Sequence, residues 1–111
     1  MMEKIQKYPL ILVEMERAKK ARAEANEGMA RVCARRAAGL AAGEYVARRG
    51  LPHPGSSAYD RLNFLSQNTA VPFEIRQIAG HFLVHVTPDH TLPLDADLLQ
   101  DAHWLIEKLL E

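Results

Sequence analysis

The sequence predicts an all-α protein, an antiparallel bundle of four main helices plus one short helix, folded as a single domain over residues 1–111. Three observations lead there. Hydrophobic residues make up 48% of the chain but aromatic ones only 6%, and Ala supplies much of the apolar count, which suits closely packed helices better than a β-sandwich. Apolar residues recur at helical spacing while strand-type alternation is weak throughout. Prolines and glycines mark the breaks between these segments, and a chain of this length builds one core.

The stretch from Pro9 to Arg49 has no proline after its first residue and is rich in Ala, Glu, Lys and Arg, all good helix formers. Asn26-Glu27-Gly28 is its one interruption. Two helices meeting there are expected; one continuous helix is the alternative, because a lone Gly costs a helix only about 1 kcal/mol. In the second helix Met29, Val32, Cys33, Leu40 and Val46 are expected to face the core. Ala34, Ala38, Ala41 and Ala42 form a surface that another backbone can approach closely, as a bundle seam or a dimer seam, and Gly39 and Gly43 read as packing positions.

Gly50-Leu51-Pro52-His53-Pro54-Gly55 cannot continue a helix. Ser57-x-x-Asp60 then predicts an N-terminal cap for the short helix, whose apolar face is Tyr59, Leu62 and Leu65. Pro72 fits the first turn of the next helix, with Ile75, Ile78, Ala79, Phe82 and Val86 on its buried side. Residues 82–86 could form a strand in isolation, but no partner strand is evident. Pro88 and Pro93 bracket a loop. Asp95 and Asp97 sit where a helix start favours negative charge. Leu98, Leu99, Ala102, Leu105, Ile106, Leu109 and Leu110 give the clearest amphipathic stripe, and Trp104 lies off it, as a core edge or a dimer contact.

The net charge of zero conceals a division: Lys and Arg outnumber Asp and Glu 11 to 6 up to Gly50, and are outnumbered 3 to 8 after it. Arg31, Arg35, Arg36, Arg48 and Arg49 surround the Ala/Gly-rich helix, a surface for phosphate, for the acidic half of the same fold or for a second copy. The lone Cys33 forms no internal disulfide and reads as a buried structural thiol in preference to a nucleophile. Residues 9–13 are far too short an apolar run for a membrane span, and no signal peptide is apparent. A reduced, cytoplasmic setting away from membranes is expected.

Among residues that carry chemistry, Arg76 and His81 stand out on the late helix. A histidine titrates near neutrality and can move a proton, and an arginine fork can hold a phosphate. Five helical residues turn about 500°, so the two lie about 140° apart around the axis. A joint site therefore needs a bend near Gly80 or two copies of the helix about a two-fold axis. The bland alternative is a surface Arg and a packing His. His81 and His85 share a helical face at a zinc-compatible spacing, with Asp89 or His90 as a third ligand, but no Glu beside His81 completes a hydrolytic zinc motif. No glycine-rich phosphate loop follows a strand, and neither metal nor cofactor is expected.

The stretch Ala37-Ala38-Gly39-Leu40-Ala41-Ala42-Gly43-Glu44-Tyr45, the turn Gly50-Leu51-Pro52 and the late Arg76-Gln77-Ile78-Ala79-Gly80-His81 together resemble the HEPN superfamily. The resemblance covers roughly Met29 to Glu111, with the first helix matching in pattern alone. It implies a small helical bundle of the kind found in prokaryotic toxin and defence systems, commonly a dimer. Many members are metal-independent ribonucleases with an Arg, four to six residues, and then a His. By that resemblance His81 would exchange a proton with the ribose 2′-hydroxyl or the leaving oxygen. Arg76 would hold the scissile phosphate, and Gln77 stands where the family often has a polar residue. Arg31, Arg35 and Arg36 would guide the RNA backbone, or else pair with Glu27, Glu44 or the acidic last helices. Leu83 replaces the Tyr commonly found two residues after the His, and placing the family His at His85 would put Gly80 where Arg is needed.

Two functions from different classes follow. One is a dimeric, toxin-like RNA endonuclease using Arg76 and His81, restrained by an antitoxin-like partner. The other is a non-catalytic HEPN-like module that binds a nucleotide, RNA or a partner protein, with its histidines structural.

Overall fold

Pro9 opens the first helix, where its missing amide and fixed φ carry no penalty, and Lys20 and Arg22 close it at the negative end of the helix dipole. In the computed structural model, which describes residues 7–52, 54–85, 92 and 96–111, five helices follow in order. They are α1 (Pro9–Ala23), α2 (Glu27–Arg48), α3 (Ala58–Gln67), α4 (Phe73–His81) and α5 (Leu98–Leu109). No strand occurs among the described residues, and residues 82–84 form a turn and bend. The all-α class is therefore observed. Val86, Asp89, His90, Asp95, His53, Pro88 and Pro93 lie outside the described residues.

The break between α1 and α2 falls on Glu24, Ala25 and Asn26. Ala25 carries the left-handed backbone with φ 61°, and the Asn26 side chain accepts the Met29 amide at 3.2 Å. Two helices form as expected, but Gly28 takes no part in the turn and sits in the first turn of α2. So short a link returns the chain antiparallel to α1.

Helix α2 is the centre of the molecule, packed against α1, α3 and α5. Its buried face is small: Ala30, Ala34, Ala37, Ala38, Ala41 and Ala42 are wholly covered, with Cys33, Tyr45 and Val46 beside them. The expectation for its large residues is corrected in part. Cys33 and Val46 are buried, but Met29 is 46% exposed and Val32 and Leu40 are only half-buried. A helix contacted on several sides packs closest through its smallest side chains, which displaces larger ones to the rims. The alanine surface is accordingly an internal seam of the bundle.

That closeness is greatest at Gly39, where a Cβ would stand 2.5 Å from Ala58 Cβ and 2.6 Å from its Cα. The start of α3 thus lies directly on the backbone of α2. Ser57 caps α3 by accepting the Asp60 amide at 3.0 Å, as the sequence predicts. Leu62 and Leu65 are buried, while Tyr59 is 44% exposed and leaves the expected apolar face. Pro72 stands just before α4, and Ile75, Ala79 and the following Phe82 enter the core. Asp97 caps α5, its Oδ1 accepting the amides of Leu99 at 3.1 Å and Gln100 at 3.4 Å. All seven residues of the predicted α5 stripe are buried.

Arg22 ties three helix ends together. Its Nε and Nη2 donate to Glu27 at 3.0 and 2.7 Å, and Nη1 reaches both carboxylate oxygens of Asp97 at 3.0 and 3.1 Å. The hydrogen bond from Arg22 holds the Glu27 carboxyl below its ordinary range. Burial pushes Asp97 up, but the bonds from Arg22 and from the Gln100 and Leu99 amides outweigh it and hold Asp97 low as well. No helix among the described residues is long and apolar enough to cross a membrane.

Candidate functional site

Helix α4 carries both residues of the Arg-x4-His spacing, and each is bonded at a different end of it. Arg76 donates from Nε to the carbonyl of Val71 at 3.0 Å, and its guanidinium stands 5.4 Å from the ring centre of Phe73. Val71 is buried while Phe73 is 65% exposed, so the fork is fixed at the α4 N-terminus above an aromatic ring that faces solvent. Its remaining nitrogens meet no carboxylate among the described residues.

His81, at the other end, places Nδ1 2.9 Å from Oδ2 of Asp101 in the first turn of α5. The two side chains are 25% and 17% exposed. An ionised carboxylate only accepts, so Nδ1 carries the proton in this bond, and in the neutral ring Nε2 is an acceptor. No described residue bonds to Nε2. Such a pairing fixes both the tautomer and the orientation of an imidazole. It equally serves to pin α4 to α5.

Between these helices lies an open pocket of ≈ 410 Å³ lined by Glu74, Gln77, Ile78, Gln100, Asp101 and Trp104. Gln77, expected as the polar residue after the Arg, lines this pocket; Arg76 and His81 are absent from its walls. The helical turn between Arg76 and His81 sends them to separate partners, and one chain does not bring them together.

Of the other arginines, Arg35 is the one placed near the end of α4, its Nε donating to the carbonyl of Phe82 at 3.1 Å. Arg31 stands 3.7 Å from Glu27. Arg36 stands 3.9 Å from Glu14, a buried carboxylate that Arg17 also reaches at 3.1 Å. Arg48 pairs with Glu44 at 3.1 Å and donates to the Tyr8 hydroxyl. The basic half is thus largely paired with its own acids, and Arg22–Asp97 is the Arg–carboxylate pair that joins the two halves among the described residues.

The zinc alternative turns on Asp89 or His90 as third ligand, and both lie outside the described residues; His81 is bonded to Asp101. Cys33 is 1% exposed, as a structural thiol would be. Asp101 and Phe73 were not singled out from the sequence. Phe73 carried a signal, since it falls off the Ile75, Ile78, Ala79 face; Asp101 carried none, because its partner lies on another helix. No family model, curated protein or solved structure matches this chain.

Proposed function

We propose that this protein is a HEPN-like helical module that binds single-stranded RNA on the exposed side of α4 without cleaving it. The observation that carries the reading is the Phe73–Arg76 pair: a solvent-facing ring beneath a guanidinium whose outer nitrogens meet no carboxylate among the described residues. An exposed ring stacks a base, and an oriented Arg fork binds the adjoining phosphate. Gln77, Gln100 and Trp104 in the neighbouring pocket add amide groups and a second ring. Arg35, Arg31 and Arg36 supply weaker attraction, since the latter two face carboxylates. The separation of Arg76 from His81 argues against catalysis in one chain.

A second reading has a specific observation of its own. The His81–Asp101 bond leaves Nε2 oriented as a proton acceptor, the arrangement a general base needs. On that reading two copies pair so that Arg76 of one meets His81 of the other, giving a metal-independent endoribonuclease restrained by an antitoxin-like partner. The opposite charges of the two halves favour such pairing, whereas the alanine seam is already used inside the bundle.

Fluorescence anisotropy with labelled single-stranded RNA in excess chelator, followed by a gel of the same samples, tests both. The binding module requires intact RNA, weaker binding by Phe73→Ala and Arg76→Ala, and a salt slope reduced by about 1 in Arg76→Ala. Absence of binding overturns it. Chelator-resistant cleavage lost in both His81→Ala and Asp101→Asn replaces it with the second reading.

A further inference from the structure

A second pair of arginines, Arg61 and Arg36, lies away from α4, in the cleft between α2, α3 and the loop that joins them. Its key residue is Arg61 of α3, which none of the readings above uses. Arg61 donates from Nε to the carbonyl of Gly55 at 3.3 Å. Its guanidinium lies so close to α2 that a Cβ on Gly43 would stand 3.0 Å from Nη1, 3.1 Å from Cζ and 3.2 Å from Nε. The absence of a side chain at Gly43 lets the fork settle there, and the Gly55 carbonyl sets its direction. No carboxylate pairs with Arg61 among the described residues.

Arg61 lines two adjoining hollows that also share Leu40. The smaller, ≈ 250 Å³, adds Arg36, Ser56, Gly39 and Ala58, with Glu14 on its wall. Glu14 is shared between Arg17 at 3.1 Å and Arg36 at 3.9 Å, so its charge is already met. The larger, ≈ 380 Å³, is walled by Val46, Ala47, Leu51 and Pro54 beside Leu40, and its one carboxylate, Glu44, is paired with Arg48 at 3.1 Å. The smaller hollow therefore carries two arginine forks and a hydroxyl beside Glu14, and the larger sets Leu40, Leu51 and Pro54 beside Glu44 and Arg61. Both volumes together are in the range of small-ligand sites.

We propose that this cleft binds a small phosphomonoester with a ring-shaped body, the phosphate held between Arg61 and Arg36 with Ser56, and the ring seated against Leu40, Leu51 and Pro54. Oriented guanidinium forks bind phosphate oxygens through paired charge-assisted bonds, and a fork held before the ligand arrives loses little freedom on binding. The site shares Arg36 with the weaker basic surface of the RNA reading but no residue of α4, and it does not rest on that reading.

Calorimetric titration of the purified chain with adenosine 5′-monophosphate, adenosine and inorganic phosphate tests it. Adenosine 5′-monophosphate is expected to bind about tenfold or more tightly than either fragment, because each hollow holds one part. Arg61→Gln and the surface variant Arg36→Ala, each checked for helicity by circular dichroism, are each expected to weaken that binding by about tenfold. Arg76→Ala is expected to leave it unchanged while weakening RNA binding, which separates this site from α4. The proposal is overturned if the folded wild type fails to bind the monophosphate at millimolar concentration, or if adenosine or phosphate alone binds equally well. Equal binding by Arg61→Gln and Arg36→Ala, or loss of binding in Arg76→Ala, also overturns it.

Discussion

The Nδ1 of His81 and the Oδ2 of Asp101 stand 2.9 Å apart, joining the last turn of α4 to the first turn of α5. Both side chains are largely covered, so the bond is worth about 1 kcal/mol and its two partners depend on each other. In urea unfolding, His81→Ala and Asp101→Ala should each lower stability by about 1–2 kcal/mol. The double variant should lose less than the sum, with a coupling of about 0.5–1.5 kcal/mol. Strict additivity would show that the pair does not hold α4 against α5.

Gly39 and Gly28 both lie in α2, yet substitution should act on them in opposite senses. A Cβ at Gly39 meets the backbone of α3 at 2.6 Å, whereas at Gly28 nothing lies within 4 Å. Gly39→Ala should destabilise by about 1–3 kcal/mol through overpacking. Gly28→Ala should stabilise by about 0.4–1 kcal/mol by restricting the unfolded chain. Thermal unfolding of the two variants beside the wild type reads the difference directly, and a loss of stability in Gly28→Ala would contradict the packing described.

Ala25 holds a φ of 61°, a conformation in which its Cβ crowds the backbone. Ala25→Gly should relieve that strain and stabilise the α1–α2 turn by about 0.5–1 kcal/mol, seen as a raised unfolding midpoint. An unchanged or lowered midpoint would place the turn in another conformation.

Acid should weaken the junction at Arg22. Glu27 and Asp97 both have folded pKa values held below their ordinary ones, so each binds a proton more readily in the unfolded chain. Their contribution is complete above the ordinary carboxylate range and is lost as pH falls through about 4 and below. Arg22→Met should lower stability at pH 7 and flatten its decline on acidification, as measured by urea midpoints between pH 7 and pH 3. A decline of the same steepness in the variant would assign the acid sensitivity elsewhere.

Helix-level features were legible because they depend on neighbours in the chain. Ser57 caps the helix it precedes, the break near Asn26 and the helix start at Asp97 fall where expected, and the α5 stripe from Leu98 to Leu110 is buried throughout. Local hydrogen bonds and helical periodicity act over three or four residues, the same range over which a sequence can be read. Where helices face more than one neighbour the reading was less complete, as with Met29 and Tyr59, both exposed against expectation. Periodicity finds an apolar face but not which of several faces receives the closest partner.

What the sequence alone determined is an all-helical chain with its breaks, caps and principal stripe, together with a set of arginines and histidines having the right chemistry to meet phosphate and move protons. Tertiary packing decided which of these meet. It placed Asp101 against His81 from 20 residues away, left Arg76 over Phe73, and laid Arg61 into the gap that Gly43 leaves. The physical reason is that a charged or aromatic side chain acquires its role from the group facing it across a helix seam. That group is selected by how closely the backbones pack, and the small face of α2 is what sets the distance.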